Sequence, residues 1–103
     1  MPDTPLKIVQ GTALTDQQKT ELLHRLARVE GQLRGVQRLI AQAAEPGDCD
    51  SVAQQLAAAR KALDRAFVTL LTSAITTQTS GAQSMEEAAE RARKLADMLG
   101  KFA

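Results

Sequence analysis

The sequence predicts an all-α chain, and three observations carry that prediction. Two long stretches place apolar residues at alternating steps of three and four. A Pro-Gly breaker separates them, and no stretch alternates apolar and polar residues as a half-buried strand would. The length, 103 residues, fits one domain.

Residues 1–14 carry Pro2, Pro5 and Gly11 among scattered polar residues and read as a mobile arm, ahead of a single helical domain over 15–103. Thr15 is placed to cap a first helix, with Gln18 three residues on as its capping-box partner. Leu22, Leu26, Val29, Leu33, Val36, Ile40 and Ala43 then form a continuous apolar seam. Glu45-Pro46-Gly47-Asp48 breaks it. A second seam follows through Val52, Leu56, Ala59, Leu63, Ala66, Leu70 and Ala74, and is expected to end near Thr76–Gly81. Ser84-x-x-Glu87 is a capping box for a third, shorter helix with Met85, Ala88, Ala92, Leu95 and Leu99 directed inward.

Two long helices joined by a tight turn make an antiparallel hairpin, which covers one flank of each seam. The chain has no Trp, no Tyr and only Phe67 and Phe102, so a lone subunit has a thin core. Two hairpins closing into an antiparallel four-helix bundle would bury the remaining apolar surface, which predicts an obligate oligomer. Ala27, Gly31 and Gly35 lie four residues apart on one stripe. Glycine costs a helix interior about 1 kcal/mol relative to alanine, so two of them predict a close approach by another helix.

Composition excludes several classes. A single Cys49 forbids an internal disulfide and fits a reducing cytoplasm. No apolar run approaches the ~20 residues of a membrane span, and Met1–Gln18 lacks the apolar region of a signal peptide. No Ser/His/Asp arrangement, phosphate-cradling glycine loop or paired acids in a pocket-like context is present, so no enzyme is expected. Net charge is only +1, so bulk charge does not announce a nucleic-acid partner.

Local charge does. Residues 24–39 read HRLARVEGQLRGVQRL and hold four arginines. Arg25 and Arg28 lie one turn apart, away from Leu26 and Val29. The second helix carries Arg60, Lys61 and Arg65 on its polar face. On spacing alone, a solvated face with i,i+4 salt bridges at Glu21–Arg25 and Glu30–Arg34 accounts for these charges as well. Repetition of each cluster in an oligomer would instead build a wide basic surface suited to a phosphate backbone. No aromatic residues interleave with the cations, which disfavours single-strand stacking. His24, the only histidine, lies among the arginines and reads as a surface residue. Cys49 opens the second helix in a Gly-Asp-Cys-Asp turn, where unpaired backbone N–H groups favour a thiolate and Asp48 and Asp50 oppose it.

The run RLARVEGQLRGVQRLI, then Cys49, then QQLAAARKALDRA resembles the CsoR/RcnR/FrmR family of small all-helical bacterial repressors. The resemblance covers about residues 20–75 and implies three helices per subunit, a four-helix-bundle dimer and a tetramer built as a dimer of dimers. It implies a cytoplasmic transcriptional repressor that binds double-stranded operator DNA without a helix-turn-helix and is released by an effector: a metal ion, formaldehyde or a persulfide. By motif, Arg25 and Arg65 fall on DNA-contact positions, with Arg28, Arg60 and Lys61 as neighbours on the same surface.

At the sensing site the sequence departs from the family. Copper sensors pair the Cys with a His and a second Cys at positions that match Ala74 and Gln78. Residues 49 and 74 on one helix stand about 37 Å apart, so such ligands meet only across an antiparallel dimer. One thiolate per subunit makes a poor Cu(I) site; any metal binding at Cys49 is expected to be weak, and no cofactor is required. Persulfide sensors also need a second Cys. Formaldehyde sensors of the family use the matching Cys with an N-terminal Pro2 amine, and removal of Met1 would expose that amine here. Some fourteen extended residues reach up to ~45 Å, enough to bring Pro2 to Cys49. The expectation is a repressor whose effector, formaldehyde or another thiol-reactive species, acts at Cys49 and Pro2; the alternatives are a metal-responsive repressor with an incomplete or unusual site, and a non-sensing helical module that binds DNA constitutively or serves assembly alone.

Overall fold

The computed structural model describes residues 6–102 and contains three helices: α1, Asp16–Gln42; α2, Asp48–Ser80; and α3, Met85–Gly100. No strand occurs among the described residues. The chain is all-α, as its periodicity predicts. Two compact units divide it. One is Glu21–Thr69, and the other holds the chain up to Thr20 and from Leu70 onward.

In the first unit α1 and α2 form the expected hairpin. The connection is closed by Asp48, whose carboxylate accepts hydrogen bonds from the backbone N–H groups of Ala44 and Glu45, both at 3.0 Å. These N–H groups follow the end of α1, where no further helical turn employs them. Leu22, Val29 and Val36 are buried from α1, and Ala59 and Ala66 from α2. The buried positions on α1 recur every seventh residue, so the hairpin covers half of the predicted seam. Leu26, Leu33 and Ile40, the alternate half, remain 40%, 42% and 56% exposed. Leu56 and Leu63 are exposed in the same way on α2. The reason is geometric: each helix has one neighbour here, and a single neighbour covers a stripe narrower than the apolar arc.

Within the chain the small-residue stripe is open, which leaves it free for the helix of a second copy. No helix of the subunit packs on Gly31 or Gly35. A side chain built at Gly35 would meet nothing within 4 Å, and one at Gly31 would meet only Nη2 of Arg34 at 3.8 Å.

In the second unit the capping box of α1 forms as predicted. The Thr15 backbone N–H donates to Gln18 Oε1 at 2.8 Å, and the Gln18 N–H donates to Thr15 Oγ1 at 3.1 Å. The Thr77 hydroxyl donates to the same Gln18 Oε1 at 2.7 Å. Helix α2 continues through Thr76–Ser80, to the far end of the stretch where the sequence predicts its end. Two of its threonine hydroxyls find partners there: Thr77 bonds Gln18, and Thr79 Oγ1 donates to the Ile75 carbonyl at 2.5 Å. Beyond Ser80 the chain turns at Gly81, whose N–H bonds the Thr77 carbonyl at 3.1 Å. A Cβ there would stand 3.3 Å from that carbonyl oxygen, which favours glycine. Arg91 of α3 donates to the Gln78 carbonyl at 2.8 Å and pairs with Glu87, so a carbonyl left open at the helix end is satisfied.

Ser84 caps α3, accepting from the Glu87 N–H at 3.1 Å. The Glu87 carboxylate reaches the Gln83 N–H at 3.0 Å, one residue earlier than a capping box requires. Leu95 is buried, and Ala88 and Leu99 are half-buried. Met85, expected inward, is 89% exposed, and Ala92 is exposed too. The inner face of α3 instead includes half-buried Arg91 and Met98. Arg91 lies there because its guanidinium serves the end of α2.

Candidate functional site

The basic residues named from the sequence separate into two groups. Arg25, Arg28 and Gln32 line one wall of a groove on the α1–α2 hairpin, and Ala58, Lys61, Ala62 and Arg65 line the other, around a cavity of about 320 Å³. Spacings of three and four residues on each helix bring these side chains onto one face. An adjoining cavity of about 480 Å³ shares Arg25, Lys61 and Arg65 and adds Asp64, Val68 and Thr69. Four of the five predicted DNA-contact residues therefore share one groove. Arg60 is exposed but lines neither cavity, because one residue along a helix turns the side chain by about 100°.

Charge pairing within the groove is sparse. Arg25 Nη2 pairs with Glu21 at 3.2 Å, one of the two salt bridges foreseen. The other, Glu30–Arg34, does not form. Gln32, Ala58, Ala62 and Asp64 were not singled out from the sequence. Gln32 was legible as the next residue on the Arg25–Arg28 stripe, and Ala58 and Ala62 as the small residues framing Lys61. His24 is exposed.

Cys49 is exposed as the second residue of α2, and its N–H bonds the Pro46 carbonyl at 3.2 Å. Both neighbouring aspartates are engaged. Asp48 closes the turn, and the N–H groups of Ala44 and Glu45 hold its carboxyl below the usual aspartate range. Asp50 accepts from the Gln54 side-chain amide at 3.1 Å. Ala74 is buried and presents a methyl group. Gln78 is half-buried, and its amide donates to the Ala13 carbonyl at 3.5 Å. Pro2 lies outside the described residues. Among the described residues no three His, Cys, Asp or Glu side chains group closely enough to hold a metal ion. Cys49, Ala74 and Gln78 together offer one soft donor, which does not fit the two or three that a soft metal requires.

The family model for metal-sensitive transcriptional repressors matches residues 18–101. The chain belongs to this family. The match begins at Gln18, in the first turn of α1, and runs past the end of α3. No curated protein and no solved structure matches the chain at a significant level. No helix of this repressor's described residues is long and apolar enough to cross a membrane.

Proposed function

We propose that this repressor binds double-stranded operator DNA through the α1–α2 groove, as a homodimer or a tetramer of two such dimers, and is released by a thiol-reactive effector at Cys49. The observation that supports it most is the convergence of Arg25, Arg28, Lys61 and Arg65 on one groove in a member of a repressor family. Each such cation displaces condensed counterions from a phosphate backbone, and symmetry multiplies the number of phosphates neutralised. The exposed leucines of the hairpin support assembly, since burying a leucine side chain contributes about 1.5–3 kcal/mol.

Formaldehyde is the effector that the donor set favours. Exposed Cys49 offers a thiol, and no second soft ligand accompanies it. In the proposed reaction the carbonyl carbon of formaldehyde forms one bond to the Pro2 nitrogen and one to the Cys49 sulfur. Its oxygen leaves as water, carrying the amine and thiol protons. A methylene bridge would then tie the N-terminal arm to the start of α2. A second reading is constitutive DNA binding without sensing, favoured by the engagement of Asp48, Asp50 and Gln78 in protein hydrogen bonds.

Fluorescence anisotropy with labelled duplex tests the groove. Arg25→Ala and Arg65→Ala are each expected to weaken binding and to lower the slope of log K against log salt by roughly 0.9 for each phosphate no longer neutralised. Wild-type binding by both variants would overturn the assignment. For the effector, peptide mapping after formaldehyde treatment should find a one-carbon bridge between the N-terminal and Cys49 peptides. Formaldehyde-dependent release that persists in Cys49→Ala would make the thiol a bystander. No release by any thiol-reactive species would select the constitutive reading.

A further inference from the structure

We propose that the α1–α2 groove also binds a free oligophosphate, a chain of two or three linked phosphates, in competition with DNA. The inference rests on the groove being the DNA-contacting face, and it adds a ligand that acts there without Cys49. The observation behind it is shape. The cations stand around a concavity of about 320 Å³, where the small side chains of Ala58 and Ala62 beside Lys61 and Arg65 leave room, rather than on a flat face. That volume lies at the low end of ligand pockets, about 300–1,000 Å³, and calls for a compact ligand.

The charges complete the argument. Arg25 and Arg28 form one wall, Lys61 and Arg65 the other, and only Arg25 has an ion-pair partner among the described residues. Of the nearby acids, Glu21 is the partner of Arg25, and Asp64 belongs to the adjoining cavity. Like charges facing one another across a cleft repel, and an anion with several oxygens relieves all of them together. Guanidinium forks bind phosphate oxygens in pairs, and both walls are helices, which hold the cations in register. No aromatic side chain lines either cavity, so there is no platform for a nucleobase. The site therefore recognises the phosphate chain itself. Arg34 and Arg38, exposed on the same helix, line neither cavity and serve as an internal control.

Inorganic tripolyphosphate is the probe. In calorimetry at constant ionic strength it should bind saturably, once per subunit, and shift the methyl resonances of Ala58 and Ala62. In the anisotropy assay it should raise the apparent Kd for duplex by the factor 1 + [L]/Kd, about tenfold at nine times its own Kd, while chloride of matched ionic strength does not. Ala62→Leu, with helicity verified by circular dichroism, should abolish tripolyphosphate binding by filling the space between Lys61 and Arg65. Non-saturable binding, shifts centred on Arg34 and Arg38, or undiminished binding by Ala62→Leu would overturn the site. Duplex binding with no tripolyphosphate binding defeats this inference and leaves the DNA reading standing. Saturable tripolyphosphate binding with no duplex binding defeats the DNA reading and the competition with it, and leaves only the oligophosphate site.

Discussion

The two flanks of the α1–α2 hairpin make an instructive pair. On α1 the buried stripe Leu22–Val29–Val36 runs between Leu26, Leu33 and Ile40 on one side and Arg25, Arg28 and Gln32 on the other. On α2 the stripe of Ala59 and Ala66 separates Leu56 and Leu63 from Lys61 and Arg65 in the same way. Both flanks are exposed, yet they ask for opposite partners. Apolar surface in water favours any association that removes it, whereas a cation in water is already well solvated and gains only from a concentrated anion. On the proposed reading the leucine flank governs whether copies assemble, and the arginine flank governs what the assembly holds.

The strongest way to break the comparison is Leu63→Lys. A charge on the apolar flank should dissociate the assembly, seen as a drop in mass by light scattering at micromolar concentration, with helicity retained. An unchanged mass would remove the leucine flank from the interface. Arg65→Ala, only two residues away, should leave the mass unchanged and affect DNA binding alone. A substitution on neither flank gives a smaller effect. Gly35→Ala should raise stability by about 1 kcal/mol, because the added methyl meets nothing within 4 Å and helix propensity improves. A loss of stability or of assembly would show that a second copy approaches the glycine stripe closely.

The smallest effect is expected at the turn. The carboxyl of Asp48 is held below its usual range by the Ala44 and Glu45 N–H groups. A folded-state value below the unfolded one stabilises at pH above the unfolded value, and this contribution is lost as pH falls through the folded value. Asp48→Asn should therefore lower the thermal midpoint at neutral pH. Its midpoint should converge with that of the wild type in acid. A gap that persists in strong acid would assign the effect to side-chain geometry rather than charge.

Much of this was readable from residue spacing. Thr15–Gln18, Glu45–Asp48 and Ser84–Glu87 mark boundaries through local hydrogen bonding, which neighbouring residues specify by themselves. Periodicity located the seams but not which half of each is covered, because Leu22 and Leu26 look alike until a second helix takes one side. Met85, expected inward on α3, is exposed, and Arg91, not singled out from the sequence, is half-buried there. Apolar spacing favoured Met85, but the open carbonyl of Gln78 drew Arg91 inward, a demand set by a different helix. The grouping of Arg25, Arg28, Lys61 and Arg65, and the departure of Arg60, depended on the rotation of α2 about its own axis. Helix periodicity relates Arg60 to Lys61 but does not fix that rotation. Where the family's copper sensors place their ligands, the resemblance was informative: Ala74 and Gln78 supply neither imidazole nor thiolate.

One oxygen in the second unit has a dynamic consequence. Gln18 Oε1 accepts from the Thr15 N–H at the beginning of α1 and from the Thr77 hydroxyl near the end of α2. Helix ends ordinarily fray independently, each on its own fast timescale. A shared acceptor couples them: opening either end leaves the other with a weaker clasp. In hydrogen exchange, the first-turn amides of α1 and the last-turn amides of α2 should open as one event, with a common protection factor. Gln18→Ala should split that event into two faster ones.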